Sequence, residues 1–461
     1  MLQKNYSFTV VGKGYLSFLY GIELLRRDLS ILILDDRRLE YGDLFTFGLS
    51  KLDIEFLKTW GTDRNITALK QIEDFVTQRS LTYVLGGKRV LLGGKPWNNL
   101  RELYRKFPNL FNYPHLFDKG NDGKVESESI RKRLSEDLNQ LYSNLGADGF
   151  RFKTIENNSI EYLLGQTPDS IKELFFTFQN SLKEKRREGW CFLYFIGSLY
   201  HKSLSSSYSE PEIYHLFLSL LSPHYALDEP RLCKRLSQVF TERGGHFKET
   251  QVREWKFYRR MPWSIELASF EGIIHPKRLC FLGSHPRGLP LKVKYDQKMF
   301  LSVHFKAKID KKAAEAWKDQ LVISGSPNAL ATDIPLWRLE VRGDEVFGQY
   351  LYREKLGSKL KFFESFLKER LIENINQWSA SFGESLSDEI TFTQGPEVYL
   401  DQSYTYFSSP LPKVKEVKLY DFSTPFLKSK LKNVNYFGPL KGLPLGLYGQ
   451  LLEIKEVSKY Q

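Results

Sequence analysis

The sequence predicts an α/β protein, opened by a parallel-sheet unit and interrupted by a helical subdomain and an inserted α+β region. Three observations predict it. Residues 8–36 read as strand, glycine turn, helix and strand. After a mostly helical block, strand and helix patterns return from residue 228. Near the C-terminus an apolar strand runs into a glycine-rich loop. Strands alternating with helices in this way favour a parallel sheet covered by helices.

The opening segment carries the most information. Phe8–Val11 is an uninterrupted apolar run, the pattern of a strand buried on both faces. Gly12-Lys13-Gly14 follows, then apolar residues at helical spacing over 15–27, then a second apolar strand, Ile31 to Leu34. Asp35 and Asp36 stand at its carboxyl end. This is the layout of a Rossmann-like dinucleotide-binding unit. Gly12 permits a sharp turn. Gly14 lets backbone N–H groups approach a pyrophosphate, an anion that the positive end of the helix favours. Asp35 lies 23 residues beyond Gly12 and is placed to accept hydrogen bonds from an adenosine ribose; the usual separation is about 20. Ser17 takes the third glycine position, where a small residue lets helix and strand pack. Lys13 is placed either to neutralise a phosphate or to obstruct it.

Further along, residues 51–60 and 67–78 carry helical periodicity. Residues 81–92, LTYVLGGKRVLL, flank Gly86-Gly87 with β-rich runs and predict a hairpin. Residues 96–107 predict a helix capped by Asn98 or Asn99. The polar stretch 117–128 predicts a loop or crossover. Helices are expected over 129–145, 167–187, 190–203 and 211–221, then over 229–243, ended by Gly244-Gly245. Strands are expected at 246–257, 264–271, 277–283 and 299–308, with a hairpin over 336–352 turning at Gly343-Asp344. Helices are expected at 310–319 and 358–380. Val434–Phe437 is the last strand, ahead of Gly438, Gly442, Gly446 and Gly449 and a terminal helix.

Composition bounds the function classes. The 461 residues suffice for two or three domains. The net charge of +12 favours acidic partners, but the basic residues are dispersed and no nucleic-acid module accompanies them, so no nucleic-acid partner is expected. Cys191, Cys233 and Cys280 form neither a metal-binding spacing nor a disulfide framework, so no metal is expected and a reducing compartment is the default. The first strand begins near the N-terminus, which leaves no room for a signal peptide. The longest apolar run, near 190–200, is shorter than the ~20 residues a spanning helix needs. A cytoplasmic protein is therefore expected, with peripheral membrane contact compatible. Aromatic residues make up 15% of the chain and suit either a lipid-like ligand or core packing.

Taken together, these segments resemble the FAD-dependent oxidoreductases of the phytoene desaturase and amine oxidase type. VVGKGYLSFLYGIELLRRDLSILILDDRR is similar to that family's FAD-binding opening, and LTYVLGGKRVLL with PWNNLRELYRKFP to its next block. RLCKRLSQVFTERGGHFKETQVREWKF resembles its helix, double glycine and adenine-side strand. LWRLEVRGDEVFGQYLYRE resembles its substrate-domain sheet, and NVNYFGPLKGLPLGLYGQLL the segment that approaches the flavin. The match spans most of the chain in order and is least at 118–225.

The resemblance implies a Rossmann-like FAD/NAD(P)-binding domain assembled from 1–116, 228–290 and 426–461, a mainly helical insertion at 117–227, and an α+β substrate domain with a mixed antiparallel sheet at 291–425. It implies FAD as cofactor, with Gly12, Gly14 and Ser17 at the pyrophosphate and Asp35 on the ribose. Arg37 and Gly42 would lie beside the cofactor, Val252 would meet the adenine through its backbone, and Gly438, Leu445 and Gly446 would lie near the flavin. Tyr41 and Pro439 depart from the family pattern, as does Lys13. The implied activity is oxidation of a small or lipid-like substrate by hydride transfer to flavin. Two alternatives stand beside it: a catalytically lost relative acting as a binding or assembly subunit, and a flavin-dependent non-redox mutase. No side chain is assigned a catalytic role, since the cofactor would carry the chemistry.

Overall fold

A computed structural model of the chain describes residues 5–12, 14–36, 48–85, 88–113, 125–147, 159–184, 210–268, 272–282, 292–293, 299–318, 320–324, 337–353, 392–400, 405–406, 427–428, 432–437, 451 and 454. The opening unit has its expected form: β1 (Phe8–Val11), α1 (Tyr15–Leu25) and β2 (Ile31–Asp36). Helices α2 (Lys51–Asp63) and α3 (Glu229–Glu242) come later in the chain. So do strands β3 (His246–Thr250), β4 (Leu279–Leu282) and β5 (Val434–Phe437). The five strands form one parallel sheet in the order β5-β4-β1-β2-β3. The chain thus winds outward from β1 in one direction and then in the other, the Rossmann-like arrangement.

The apolar runs of the sequence are explained by burial on both faces of this sheet. Phe8, Val10, Ile31, Ile33 and Cys280 belong to one core, together with α1 and α3. Val11, Leu32, Leu34, Leu279 and Phe281 belong to a second. An antiparallel meander of Val252–Tyr258, Met261–Leu267 and Ile273–Pro276 closes that second core. Helices α1 and α3 pack closely because Gly21 has no side chain. A Cβ there would lie 2.8 Å from the Phe240 ring and 2.9 Å from Ile33.

A second, ten-stranded mixed sheet draws its strands from both halves of the chain. Met299–Ile309 pairs antiparallel with Glu345–Arg353 and Phe392–Leu400, while Gln320–Ser324 runs parallel to Val76–Leu85. Helices Val125–Ala147, Asp169–Glu184 and Glu210–Leu221 surround an aromatic core. In it Phe178 stacks on Phe111 at 5.0 Å and on Phe217 at 5.5 Å. The described aromatics of this layer pack against one another.

Several expectations are corrected. Residues 67–78 do not form one helix: a turn of α-helix (Thr67–Lys70) and a 3₁₀ turn (Ile72–Phe75) lead into the strand Val76–Leu85. The tertiary pairing of Thr77, Gln78 and Arg79 with His224, Tyr225 and Ala226 overrides the local periodicity. Neither Asn98 nor Asn99 caps the helix Pro96–Lys106, whose N-cap is Lys95. Asn99 Oδ1 instead accepts from the Gly93 and Gly94 amides, and its Nδ2 donates to the Leu220 and Ser222 carbonyls. Residues 246–257 break at Gln251 into two strands of different sheets, and helix Val125–Ala147 starts inside the stretch read as a loop. The helices expected at 190–203 and 358–380 lie outside the described residues.

One position tests the packing of the helical layer. A Cβ on Gly61 would stand 2.5 Å from Leu69 Cβ and 2.8 Å from the Lys70 backbone nitrogen. Gly61→Ala gains about 1 kcal/mol of helix propensity but loses about 1–3 kcal/mol to overpacking. The overlap wins, because backbone atoms cannot rotate away. We expect a lower urea midpoint; an unchanged or raised midpoint would contradict this packing.

Candidate functional site

In open α/β sheets, ligands bind outside the carboxyl ends of the strands where the winding direction changes. Here that place lies beyond β1, between β2 and β4. Gly12 still belongs to the sheet edge, its N–H donating to the Leu34 carbonyl at 3.1 Å. Gly14 is the N-cap of α1 with φ 98° and ψ 171°, a left-handed φ that glycine adopts without a Cβ penalty. It offers no side-chain cap, so the first turn of α1 presents backbone N–H groups. Ser17 is 1% exposed and sits under the turn, its N–H donating to the Gly14 carbonyl. Asp35 is buried on the next strand, paired across to Glu249 of β3. By strand alternation it shares the side of the sheet that carries α1.

Val252 is buried in the second core and pairs with Leu267, just beyond the carboxyl end of β3. Strand β5 runs in register with β4, Phe437 opposite Leu282, and so delivers the chain to the same edge. Gly12, Gly14, Ser17 and Asp35 are thus brought together, with Val252 near the β3 end of that edge. Arg37, Gly42, Gly438, Leu445 and Gly446 lie outside the described residues, as does Lys13.

The residue that local reading missed is Glu229, at the first turn of α3. Its Oε1 accepts from the Tyr15 N–H at 3.4 Å, across 214 positions of sequence. The same oxygen stands 2.5 Å from where a Cβ on Gly14 would be. The space that the glycine leaves open is filled by this carboxylate. In the sequence, Asp228-Glu229-Pro230 reads as an ordinary helix start, and it is one: Asp228 Oδ1 accepts from the Arg231 N–H at 3.2 Å. No local signal distinguishes a glutamate that serves its own helix from one that also reaches another.

Behind α1 lies a buried polar cluster. Burial raises the Tyr15 phenol well above its ordinary range, and the charges of Glu229 and Asp53 add to the rise, so it stays protonated. Asp53 is the N3 residue of α2 in a capping box, accepting from the Ser50 N–H at 2.9 Å and hydroxyl at 2.7 Å. His215 Nε2 lies 3.7 Å from Asp53 Oδ1, with its ring stacked on Phe56. Such a buried, hydrogen-bonded group is a structural support for the floor of the site.

Among the described residues no group of three or more His, Cys, Asp or Glu could hold a metal, and no helix is long and apolar enough to cross a membrane.

The residues present fit a dinucleotide in three respects: a glycine turn at a helix N-terminus, a small buried residue beneath it, and an acid on the adjacent strand. Among the described residues the Glu229 carboxylate stands beside Gly14, and it does so by the end of a flexible side chain.

No family model and no curated protein matches the chain. Similar solved structures include a Rab GDI of Plasmodium falciparum, at 11% identity and a TM-score of 0.46, covering 98% of each chain. A myxobacterial FAD-dependent chondrochloren halogenase matches at 10% identity and 0.45, covering 99% of this chain and 74% of that one. A peptidyl tryptophan dihydroxylase matches at 10% and 0.42, and this chain spans 56% of its length. Likeness of this degree carries no functional assignment.

Proposed function

We propose that this chain binds FAD and acts as a flavin-dependent oxidoreductase of the desaturase or amine oxidase type, on a small or lipid-like substrate. One observation carries the reading. At one edge of a parallel sheet, the glycine-led N-terminus of α1 and the buried carboxylate of Asp35 stand on neighbouring elements. Bound FAD would supply the redox chemistry, accepting a hydride from a substrate C–H bond. The chain's own residues bind and orient. The Gly14–Tyr15 turn directs amides at a diphosphate, Asp35 accepts from ribose hydroxyls, and Ser17 keeps the helix close to the sheet. The ten-stranded sheet is the proposed substrate side. The basic surface is compatible with peripheral contact at a membrane.

Glu229 favours a second reading, in which the fold is kept, the cofactor is lost and the chain serves as a binding or assembly subunit. The visible spectrum of the purified protein separates the two. Flavin bands near stoichiometric occupancy support the first; colourless protein that takes up no added FAD supports the second and defeats the first. Within the first reading, Asp35→Ala removes charge-assisted hydrogen bonds of about 1.5–3 kcal/mol. FAD affinity is then expected to fall about 10–100-fold. Unchanged occupancy in the variant would remove Asp35 from the ribose.

A further inference from the structure

We infer that Glu229 is a built-in stopper of the phosphate subsite, so that dinucleotide binding requires its carboxylate to swing away from the α1 N-terminus. The inference rests on the reading of this edge as a dinucleotide site and adds the residue that regulates its occupancy.

Three features carry it. The carboxylate uses the donor that a pyrophosphate would use, the Tyr15 N–H, at 3.4 Å. It fills the volume beside Gly14 through which a phosphate oxygen would approach. It also stands at the N-termini of two helices, α1 with 11 residues and α3 with 14, so the partial positive charges of both favour an anion between them. A carboxylate and a pyrophosphate cannot share that position. Each needs the same amide, and two anions at such separation repel strongly.

The contact is made across 214 residues, so it depends on how α3 docks on α1. That docking is firm. Gly21 of α1 meets the Phe240 ring of α3, and Phe18 packs edge-on against the same ring with centroids 6.2 Å apart. What can move is therefore the Glu229 side chain, not its helix. Its carboxylate accepts from the Tyr15 N–H. Binding a dinucleotide exchanges that internal anion for an external one, which lowers apparent affinity by the free energy of displacing the carboxylate.

The test is an FAD titration of the full-length protein, as wild type, Glu229→Ala and Glu229→Gln. Binding is followed by quenching of flavin fluorescence, and by the shift in melting temperature that FAD produces. Circular dichroism of each variant confirms the fold. Glu229→Ala is expected to bind FAD about 10–100-fold more tightly than wild type. Glu229→Gln, which keeps the volume but not the charge, should fall between the two. Equal, measurable affinities in wild type and Glu229→Ala would overturn the stopper and leave the FAD site standing. Tight binding by Glu229→Ala alone would support the stopper and show the natural chain to be largely cofactor-free. Folded variants that all ignore FAD would overturn the stopper and the dinucleotide reading together.

Discussion

Arg64→Ala is expected to destabilise the protein by about 3 kcal/mol, because it removes the buried partner of Glu23 and leaves it the half-exposed Arg26, 3.5 Å away. Arg64 Nε donates to Glu23 Oε2 at 2.5 Å, and the two side chains are only 5% and 11% exposed. The guanidinium also lies 3.4 Å over the Trp60 ring. Burial lowers the Arg64 pKa from its ordinary value and Glu23 opposes that change, so the cation is held by its partner. Glu23 belongs to α1, whereas Arg64 follows α2. The pair ties the helix that forms the site to its neighbour. Glu23→Ala should cost a similar amount, since it leaves the buried arginine with the exposed Asp63 carboxylate at 3.9 Å. The double variant Glu23→Leu/Arg64→Met should recover part of the loss, because no unpaired charge remains. Urea unfolding of the four proteins measures this. Single variants within about 0.5 kcal/mol of wild type would mean that the pair behaves like an exposed one.

His224 sets the second large effect, a loss of stability in acid. Burial alone depresses its pKa from the ordinary 6.5 to about 3. The sign follows from proton binding. Below pH 6.5 the unfolded chain takes up a proton on this residue and the folded chain does not, so stability falls as the pH falls. The loss runs at about 1.4 kcal/mol per pH unit down to the folded pKa, or roughly 2 kcal/mol by pH 5. His224 lies in the strand His224–Leu227, between Ser50 and Arg79 on its neighbours. The residue is 3% exposed there. His224→Gln should flatten the stability–pH profile between pH 6 and 4 by about one proton. Parallel profiles for wild type and variant would show that the imidazole does not drive acid unfolding.

Much of the fold is written in short stretches. Phe8–Val11, Ile31–Leu34 and Val434–Phe437 read as buried strands, because a parallel strand covered on both faces has only apolar neighbours to meet. The turn at Gly12 and Gly14 is legible because a left-handed φ at a helix start needs glycine. Other features are not local. Thr77 and Gln78 carry helical spacing but join a strand, because His224–Leu227 offers them backbone partners. That strand is four residues long, too short to show a period of its own. Asn99 looks like a cap, yet it bonds Gly93 and Gly94 to residues near 221, which only meet in the fold.

The sequence by itself determined the α/β class, the βαβ opening and the candidate cofactor residues Gly12, Gly14, Ser17 and Asp35. Each of these depends on neighbours within about one supersecondary unit. Only the tertiary structure decided the strand order β5-β4-β1-β2-β3 and the position of Glu229 over Gly14. Both depend on contacts between residues more than 200 positions apart. A backbone N–H donates to any carboxylate that packing brings within reach, so the identity of the one that arrives is set by how α3 docks on α1.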